Sequence, residues 1–274
     1  MNPVLHVEQI LFLSVVAAFI ALLTAERLWP HAPIDRKTLG RSFVTNTSAF
    51  AFNNVVMSIL SVSSLFVVAE RWSGHGLLSG LEPGPLKWVA TFVLFDFAVF
   101  GWHWLGHRSE WLWRFHKIHH SDRNFHVTTG LRFHVFDMLL EVLFKCVCAI
   151  LIGAEAQVVV VCEVLRMFFV LFHHANVALP GERALSFVIV TPMLHRAHHS
   201  TRRSEHDSNY GIVLSLWDMI FGTRKELVPR RIGLDLIQAD NFVQLFSLAF
   251  VTERGLARIL NFVPKKGRRP PGAV

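Results

Sequence analysis

Five apolar stretches constrain this chain more than any other feature of its sequence. Residues 10–25 and 42–69 contain no charged side chain, and residues 88–105 contain only Asp96. Residues 138–152 and 156–172 form a pair separated by three residues, which is typical of a helical hairpin. About 20 apolar residues cross a hydrocarbon core roughly 30 Å thick. With 52% hydrophobic and only 17% charged residues, the chain is predicted to be an all-α integral membrane protein with about four transmembrane helices.

The basic residues predict an orientation. Four of them lie between residues 26 and 41, whereas the next loop has only Arg71 before Lys87. By the positive-inside rule the first loop is cytoplasmic, and so are residues 108–134 and 175–274. The hairpin of residues 138–172 then enters and leaves from the cytoplasmic side. Its charged side chains, Glu141, Lys145, Glu163 and Arg166, are expected to face protein or headgroups.

Charge and cysteine content exclude other classes. The net charge of +7 comes partly from a basic tail at residues 265–269, which suits anionic headgroups rather than nucleic acid. The three cysteines lie in apolar stretches without a disulfide or zinc-binding spacing, so reduced thiols are expected. The N-terminus lacks the basic region of a cleavable signal peptide, and the first apolar stretch is expected to remain as an anchor. We predict an N-terminal transmembrane region (1–86), a catalytic domain (87–225) and a cytoplasmic C-terminal segment (226–274).

Histidines are the second dominant feature. Thirteen of the sixteen fall between residues 103 and 206. They include three motifs, H-W-L-G-H (His103, His107), H-K-I-H-H (His116, His119, His120) and H-R-A-H-H (His195, His198, His199), and a pair, His173 and His174. Histidines at positions i and i+4 lie on one helical face, where both imidazoles can reach a common ion. The eight motif histidines exceed the needs of one metal ion, so the sequence predicts two.

Ligand type alone leaves the metal open among iron, copper and zinc. The sequence lacks the H-E-x-x-H pattern of zinc proteases and has no thiolate partners for structural zinc. Iron is favoured because two redox ions beside a bilayer suit oxygen chemistry on lipid C–H bonds. A membrane zinc hydrolase, a metal transporter and a non-catalytic scaffold are the alternatives.

At these motifs the sequence resembles the fatty acid hydroxylase/sterol desaturase superfamily, in particular its bacterial branch and alkylglycerol monooxygenase. The flanking segments agree, among them W-L-W-R-F-H-K-I-H-H-S-D up to Asp122, F-H-H-A-N up to Asn176 and T-P-M-L-H-R-A-H-H-S up to Ser200. The similarity covers about residues 90–225. Two positions depart from the family pattern: Trp104 replaces a common arginine, and R-F-H-V-F-D replaces R-F-H-P-x-E.

The resemblance implies a ligand set and a surrounding layer of polar residues. The ligands are the eight motif histidines with His174, and His134 of the R-F-H segment is a further candidate. His173 is an undecided position, and His126 is not expected to bind metal. We expect Asp96, two helical turns before His103, to accept a hydrogen bond from a ligand histidine, with a helix–helix contact as the alternative. The same role, or helix capping, is expected of Asp122, Asn176, Asp207 and Asn209.

The resemblance also implies a function. Two iron ions (zinc can substitute in a purified form) would use O₂ to hydroxylate or desaturate a lipid or sterol-like substrate. No nucleotide-binding G-x-G-x-x-G is present, so electrons are expected from a ferredoxin or a small haem protein with its reductase. A cavity lined by Phe92, Phe95, Phe168 and Phe169 is expected between the third apolar stretch and the hairpin. The expected location is the bacterial inner membrane, with a cytoplasmic, helical, histidine-rich cap; substrate and oligomeric state stay open.

Overall fold

The computed structural model describes residues 3–60, 64–234 and 239–250, and these are helical with short connections. The basic tail at residues 265–269 and most of the predicted segment 226–274 lie outside the described residues. The long helices are α1 (Pro3–Leu28), α2 (Arg36–Ile59), α4 (Pro85–Arg108), α6 (Val135–Ile152) and α7 (Ala156–His174). The shorter ones are α3 (Ser64–Trp72), α5 (Glu110–His116), α8 (Glu182–Leu185), α9 (Pro192–His198), α10 (Arg203–His206), α11 (Leu216–Ile220) and α12 (Phe242–Ser247). Two 3₁₀ turns, His119–Ser121 and Val127–Leu131, complete the elements.

The second apolar stretch differs from its expected form. It contributes to two helices, α2 and α3, and α2 begins earlier, at Arg36, because the Asp35 carboxylate caps it by accepting from the Thr38 backbone N–H at 3.0 Å. The buried face of α2 is largely polar and includes Ser42, Asn46 and Asn53. Such a face suits contact with the histidine-bearing loops better than contact with lipid.

Within the described residues, α4 and α7 are long and apolar enough to cross a membrane. They contain the third and fifth predicted apolar stretches. α6 is also apolar but contains three charged side chains, Asp137, Glu141 and Lys145, which are costly within a membrane span. The last turn of each of the two spanning helices contains a histidine of the predicted metal-binding set, His107 in α4 and His174 in α7.

The predicted hairpin of residues 138–172 is formed by α6 and α7. Its turn contains Gly153 in the left-handed region, with φ of 75°, and a Cβ atom there would overlap the carbonyl oxygen of His75. The loop after α3 lies against this turn, since the backbone N–H of Leu77 donates to the Leu151 carbonyl at 2.8 Å. Glycine is required at position 153 by both its conformation and this close approach.

Four charged side chains inside the hairpin form a closed quartet. The Lys145 ammonium lies 2.8 Å from Glu163 and 3.2 Å from Glu141. The Arg166 guanidinium lies 3.1 Å from Glu163 and 3.6 Å from Glu141. Each positive group thus contacts one carboxylate on its own helix and one on the other. The quartet is neutral as a whole, which lowers the cost of burying charge in an apolar hairpin.

Two apolar clusters flank the polar interior. The larger joins α3, α4, α6 and α7 through residues such as Leu65, Phe95, Ala149 and Val159. The smaller joins α2 and α12 around Ile118 and Leu245. The histidine-rich segments lie at the ends of α4 and α7.

Candidate metal centre

Nine buried histidines form two neighbouring groups. Within each group the ring nitrogens that could bind a metal lie within 4.8 Å of one another. The group of five contains His103, His107, His116, His120 and His198, and the group of four contains His119, His174, His195 and His199. The structure therefore brings together all eight motif histidines and His174.

Local helical geometry explains most of this grouping. The i, i+4 pairs His103/His107, His116/His120 and His195/His199 each stay within one group, as one helical face requires. The middle histidine of each H-x-x-H-H motif goes to the other group. His119 and His120 point to different groups from the 3₁₀ turn His119–Ser121, and His198 and His199 do so from the end of α9. Two adjacent-residue pairs thus connect the two groups.

The group of four has the geometry of a metal site. The Nε2 atom of His174 lies 3.1 Å from that of His119, 3.0 Å from that of His195 and 3.2 Å from that of His199. Nitrogens about 2.0–2.1 Å from a tetrahedrally bound ion stand about 3.3 Å apart. The buried Nδ1 atoms of His119, His195 and His199 have no hydrogen-bond partner. One Nε2–H cannot donate to three neighbouring Nε2 atoms at once, so hydrogen bonding does not account for the convergence. The residues present fit a bound cation.

In the group of five, ring orientation is fixed from outside the cluster. The Nδ1–H of His103 donates to the Tyr210 carbonyl at 2.7 Å, and that of His198 donates to the Ser208 carbonyl at 2.6 Å. The His116 Nδ1 lies 3.1 Å from the Asp137 carboxylate. A carbonyl accepts only from N–H, so the first two contacts leave the Nε2 lone pair for a metal.

The protonation state of the histidines outside the apolar helices suits metal binding. Burial, followed by the neighbouring imidazoles, holds the pKa values of His119, His195 and His199 well below the ordinary value for histidine. The same causes lower the pKa values of His120 and His198. These five rings are neutral at pH 7, which is the form that ligates metal ions.

A buried polar network supports the 3₁₀ turn that connects the groups. The Asp122 carboxylate accepts from Ser42 Oγ at 2.6 Å, Asn46 Nδ2 at 2.8 Å and Thr129 Oγ1 at 3.0 Å. Burial would raise the pKa of Asp122, but Arg132, His126 and the donated hydrogen bonds hold it below its usual range. Arg132, fully enclosed, donates to the Ile118 carbonyl at 3.2 Å and to Asn46 Oδ1 at 2.8 Å.

Of the five predicted surrounding residues, Asp207 contacts a ligand histidine directly, with 3.4 Å to His107 Nδ1. Asp96 makes the helix–helix contact given as the alternative: its carboxylate accepts from Trp217 Nε1 of α11 at 2.8 Å and from the Val213 and Leu214 backbone N–H groups at 3.3 Å. It acts indirectly, since the segment it holds also supplies the Tyr210 carbonyl to His103.

The other three residues form hydrogen bonds that stabilise loops, and none of these bonds joins a grouped histidine. Asp122 belongs to the polar network. Asn176 exchanges two hydrogen bonds with Ala32, at 2.7 and 3.2 Å. Asn209, in the left-handed region with φ of 54°, donates to the Leu194 carbonyl at 2.9 Å and accepts from the Lys225 backbone N–H at 2.8 Å. A polar residue after a histidine motif thus predicts that its side chain makes a hydrogen bond, but it does not predict the partner of that bond.

Four further histidines lie near the groups but outside both. One of them, His206, forms a smaller candidate metal-binding group with His107 and Asp207. His134 accepts from the Phe136 backbone N–H at 3.2 Å and caps α6, so the prediction that it belongs with the ligands is not supported by its position. His173 stacks 3.9 Å from the His195 ring and donates to the Ile212 carbonyl at 3.3 Å. His126 lies 3.7 Å from Asp122. Sequence reasoning missed Asp137, although it occupies the acidic position of the R-F-H-V-F-D segment.

A shallow, open cleft lies between α4 and α7. It is lined by Phe92 and Phe95, as expected, together with Val99, Cys162 and Val213. Phe168 and Phe169 are not among its lining residues; Glu163 and Arg166 of the quartet are. The polar lining was not expected from the sequence.

Comparison with known proteins agrees with this site. Residues 88–223 match the fatty acid hydroxylase family model. The chain is 31% identical over 222 residues to ornithine lipid hydroxylase OlsE of Rhizobium tropici, covering 78% of this chain and 66% of that protein. It is 29% identical to human alkylglycerol monooxygenase over 56% of this chain and 34% of that protein. It is 25% identical to rat cholesterol 25-hydroxylase over 57% of this chain and 54% of that protein.

The chain spans between about a third and two thirds of the length of these relatives. No solved structure matches it. The family model covers all nine grouped histidines, and the resemblance inferred from the histidine motifs is confirmed. The two apolar helices and these relatives together indicate a membrane protein, and the chain belongs to the fatty acid hydroxylase/sterol desaturase superfamily.

Proposed function

We propose that the chain is a membrane-bound di-iron oxygenase that inserts oxygen into a C–H bond of a lipid. The observation that carries the proposal is the convergence of nine buried imidazoles into groups of five and four. The relatives with the same family domain are named as lipid, ether-lipid or sterol hydroxylases and monooxygenases. When bound, two iron ions would supply the electrons that activate O₂.

The protein residues hold and orient this centre. The carbonyls of Tyr210 and Ser208 fix the rings of His103 and His198, and the Asp137 carboxylate fixes that of His116. Such contacts keep each Nε2 aimed at one point and increase metal affinity. Burial of all nine rings excludes bulk water. Water exclusion protects a strong oxidant from side reactions.

An apolar substrate segment would approach along the cleft between α4 and α7. Phe92, Phe95 and Val99 give that cleft an apolar wall, and α4 and α7 lead from it to His103 and His174. A lipid could therefore enter from the bilayer without crossing water. Hydroxylation is favoured over desaturation because the named relatives are hydroxylases and monooxygenases.

We propose the membrane topology predicted from the sequence together with this function. About four spans, with a cytoplasmic metal centre in a bacterial inner membrane, account for the basic loops on one side. We also propose the division into residues 1–86, 87–225 and 226–274, and a separate ferredoxin or small haem protein as electron donor. The competing proposal is a zinc hydrolase, and metal analysis of the purified protein distinguishes it from an iron oxygenase.

The test combines metal analysis with lipid analysis. The protein, purified from cells grown with iron, should contain two irons per chain, and lipid extracts of expressing cells should gain a species 16 mass units heavier only when O₂ is present. A loss of 2 mass units would indicate a desaturase. His119→Ala should lower bound iron, whereas His173→Ala, whose ring lies outside both groups, should retain it. Zinc alone together with an O₂-independent lipid change would overturn the proposal.

A further inference from the structure

Two neighbouring segments expose an unusual number of large apolar side chains. Val188 is 61% exposed and Ile220 is 60% exposed. The segments run side by side, because Val190 N–H donates to the Val213 carbonyl at 2.9 Å and Ser215 N–H to the Val188 carbonyl at 3.2 Å. We call them together the apolar patch, which consists of Leu185, Phe187, Val188, Leu216, Met219, Ile220 and Phe221.

The apolar patch lies beside the middle of α4. The Phe97 ring is 4.9 Å from Trp217 and 5.8 Å from Phe221, and Trp217 Nε1 donates to Asp96 at 2.8 Å. Asp96 lies 12 residues before the end of the 24-residue helix, about 18 Å along its axis. The patch therefore extends an apolar surface that α4, as a spanning helix, already presents to lipid.

Charged groups border the apolar patch on one side. The Arg224 guanidinium lies 4.3 Å from the centre of the Phe187 ring, pairs with Glu226 and is largely buried. Arg183, whose side chain is 79% exposed, pairs with Glu226 at 2.9 Å. Basic side chains next to an apolar surface reach toward anionic headgroups while their stems stay in the apolar layer. The order of apolar and basic residues matches the order of hydrocarbon and headgroups in a leaflet.

We infer that the apolar patch inserts into the hydrocarbon layer of the leaflet next to the metal centre, with the exposed Arg183 at the anionic headgroups. The inference rests on α4 crossing the membrane, not on the proposed oxidation chemistry. It revises the expectation that residues 175–274 are wholly cytoplasmic. The loop from Ser208 to Tyr210, just before the patch, supplies the carbonyls that orient His198 and His103. Bilayer contact thus helps to position the metal ligands.

Spin labelling tests the insertion. Single cysteines replace Val188 or Ile220 in a chain whose three native cysteines are alanine, and the labelled protein is reconstituted into phosphatidylethanolamine/phosphatidylglycerol vesicles. Val161 of α7, 48% exposed, is the lipid-facing control, and Val228, 82% exposed, is the water-facing control. Labels at 188 and 220 should match the label at 161, with collisions with O₂ severalfold more frequent than collisions with a water-soluble nickel chelate. Nickel accessibility equal to that at 228 would overturn the inference.

A second copy of the chain is the other occupant that this experiment detects. Labels shielded from both O₂ and nickel, with dipolar coupling between labels on two chains, would indicate a dimer contact and refute insertion. Iron content measured on the same samples separates failure of this inference from failure of the proposed function. If the cysteine-free chain does not fold, the same positions are alkylated with an impermeant maleimide in the native background. Modification at 188 or 220 as fast as at 228 would again refute insertion.

Discussion

Asp122→Asn tests whether the polar network holds the two histidine groups together. Asp122 is 2% exposed, and one of its carboxylate oxygens accepts three side-chain hydrogen bonds, from Ser42, Asn46 and Thr129. Asparagine keeps the volume but removes the negative charge that faces the buried Arg132. Asparagine replaces one carboxylate oxygen with an amide NH₂ group that cannot accept. If that group replaces the oxygen that accepts the three side-chain bonds, they are lost; if it replaces the other oxygen, the bond from the Asn124 backbone N–H at 3.1 Å is lost.

Hydrogen bonds to a buried charged group are worth about 1.5–3 kcal/mol each, and the buried Arg132 loses one of the two carboxylates that favour its charge, so the substitution should cost about 3–5 kcal/mol. At roughly 2–4 °C for each kcal/mol, the midpoint of thermal unfolding should fall by about 10 °C. The 3₁₀ turn above the network carries His119 and His120, one for each group. Both metal positions should therefore lose occupancy together.

The assay is thermal unfolding of the purified protein in detergent, followed by tryptophan fluorescence, with metal content per chain measured in parallel. Asp35→Asn is the matched control, since Asp35 is an exposed N-cap and asparagine caps equally well; its unfolding midpoint should stay within about 1 °C of the parent. Adding Arg132→Met to Asp122→Asn should cost less than the two single changes summed, because the pair is coupled. A decrease below about 1 kcal/mol for Asp122→Asn would refute the reasoning.

Three other changes have defined outcomes. Gly130→Ala places a Cβ atom 2.9 Å from the Val170 carbonyl oxygen, which accepts from His174 Nδ1, and 3.3 Å from that nitrogen. Metal analysis should therefore show loss from the group of four with metal retained in the group of five; full occupancy of both would contradict this. Gly153→Ala forces alanine into the left-handed region against a carbonyl, which should lower the free energy of unfolding by at least about 1–2 kcal/mol in denaturant titrations. Asp96→Ala removes the acceptor of the Trp217 indole and should shift tryptophan emission while costing about 1–3 kcal/mol; an unchanged spectrum would argue against the contact.

The histidine grouping could be predicted in part from the sequence. The i, i+4 spacing places both members of each pair on one face whatever the rest of the fold does. The sequence does not predict that His119 and His198 join the opposite groups. Their placement depends on how a 3₁₀ turn and a helix end are oriented, and distant residues such as Arg132 determine that orientation. Spacing predicts a shared face, while packing decides which cluster that face meets.

The residues whose contacts differ from the expected ones share a physical explanation. Asp96 lies two turns from His103 on one helical face, but a carboxylate binds the nearest donors, which here are backbone and indole N–H groups of a segment more than a hundred residues later in the chain. His134 carries a motif that resembles a ligand position, yet its ring caps the helix that it precedes. The sequence does not indicate the role of Asp137, because its partner, His116, lies in a different segment of the chain.

The charged quartet of the hairpin has a consequence at a distance. Sliding α6 along α7 by one turn would separate Lys145 from Glu163 and Arg166 from Glu141, so the four charges fix the register of the two helices. α6 carries Asp137, which orients a ring of the group of five, and α7 carries His174 of the group of four. The spacing between the two histidine groups is therefore set partly within the apolar hairpin, a few turns from the nearest grouped histidine.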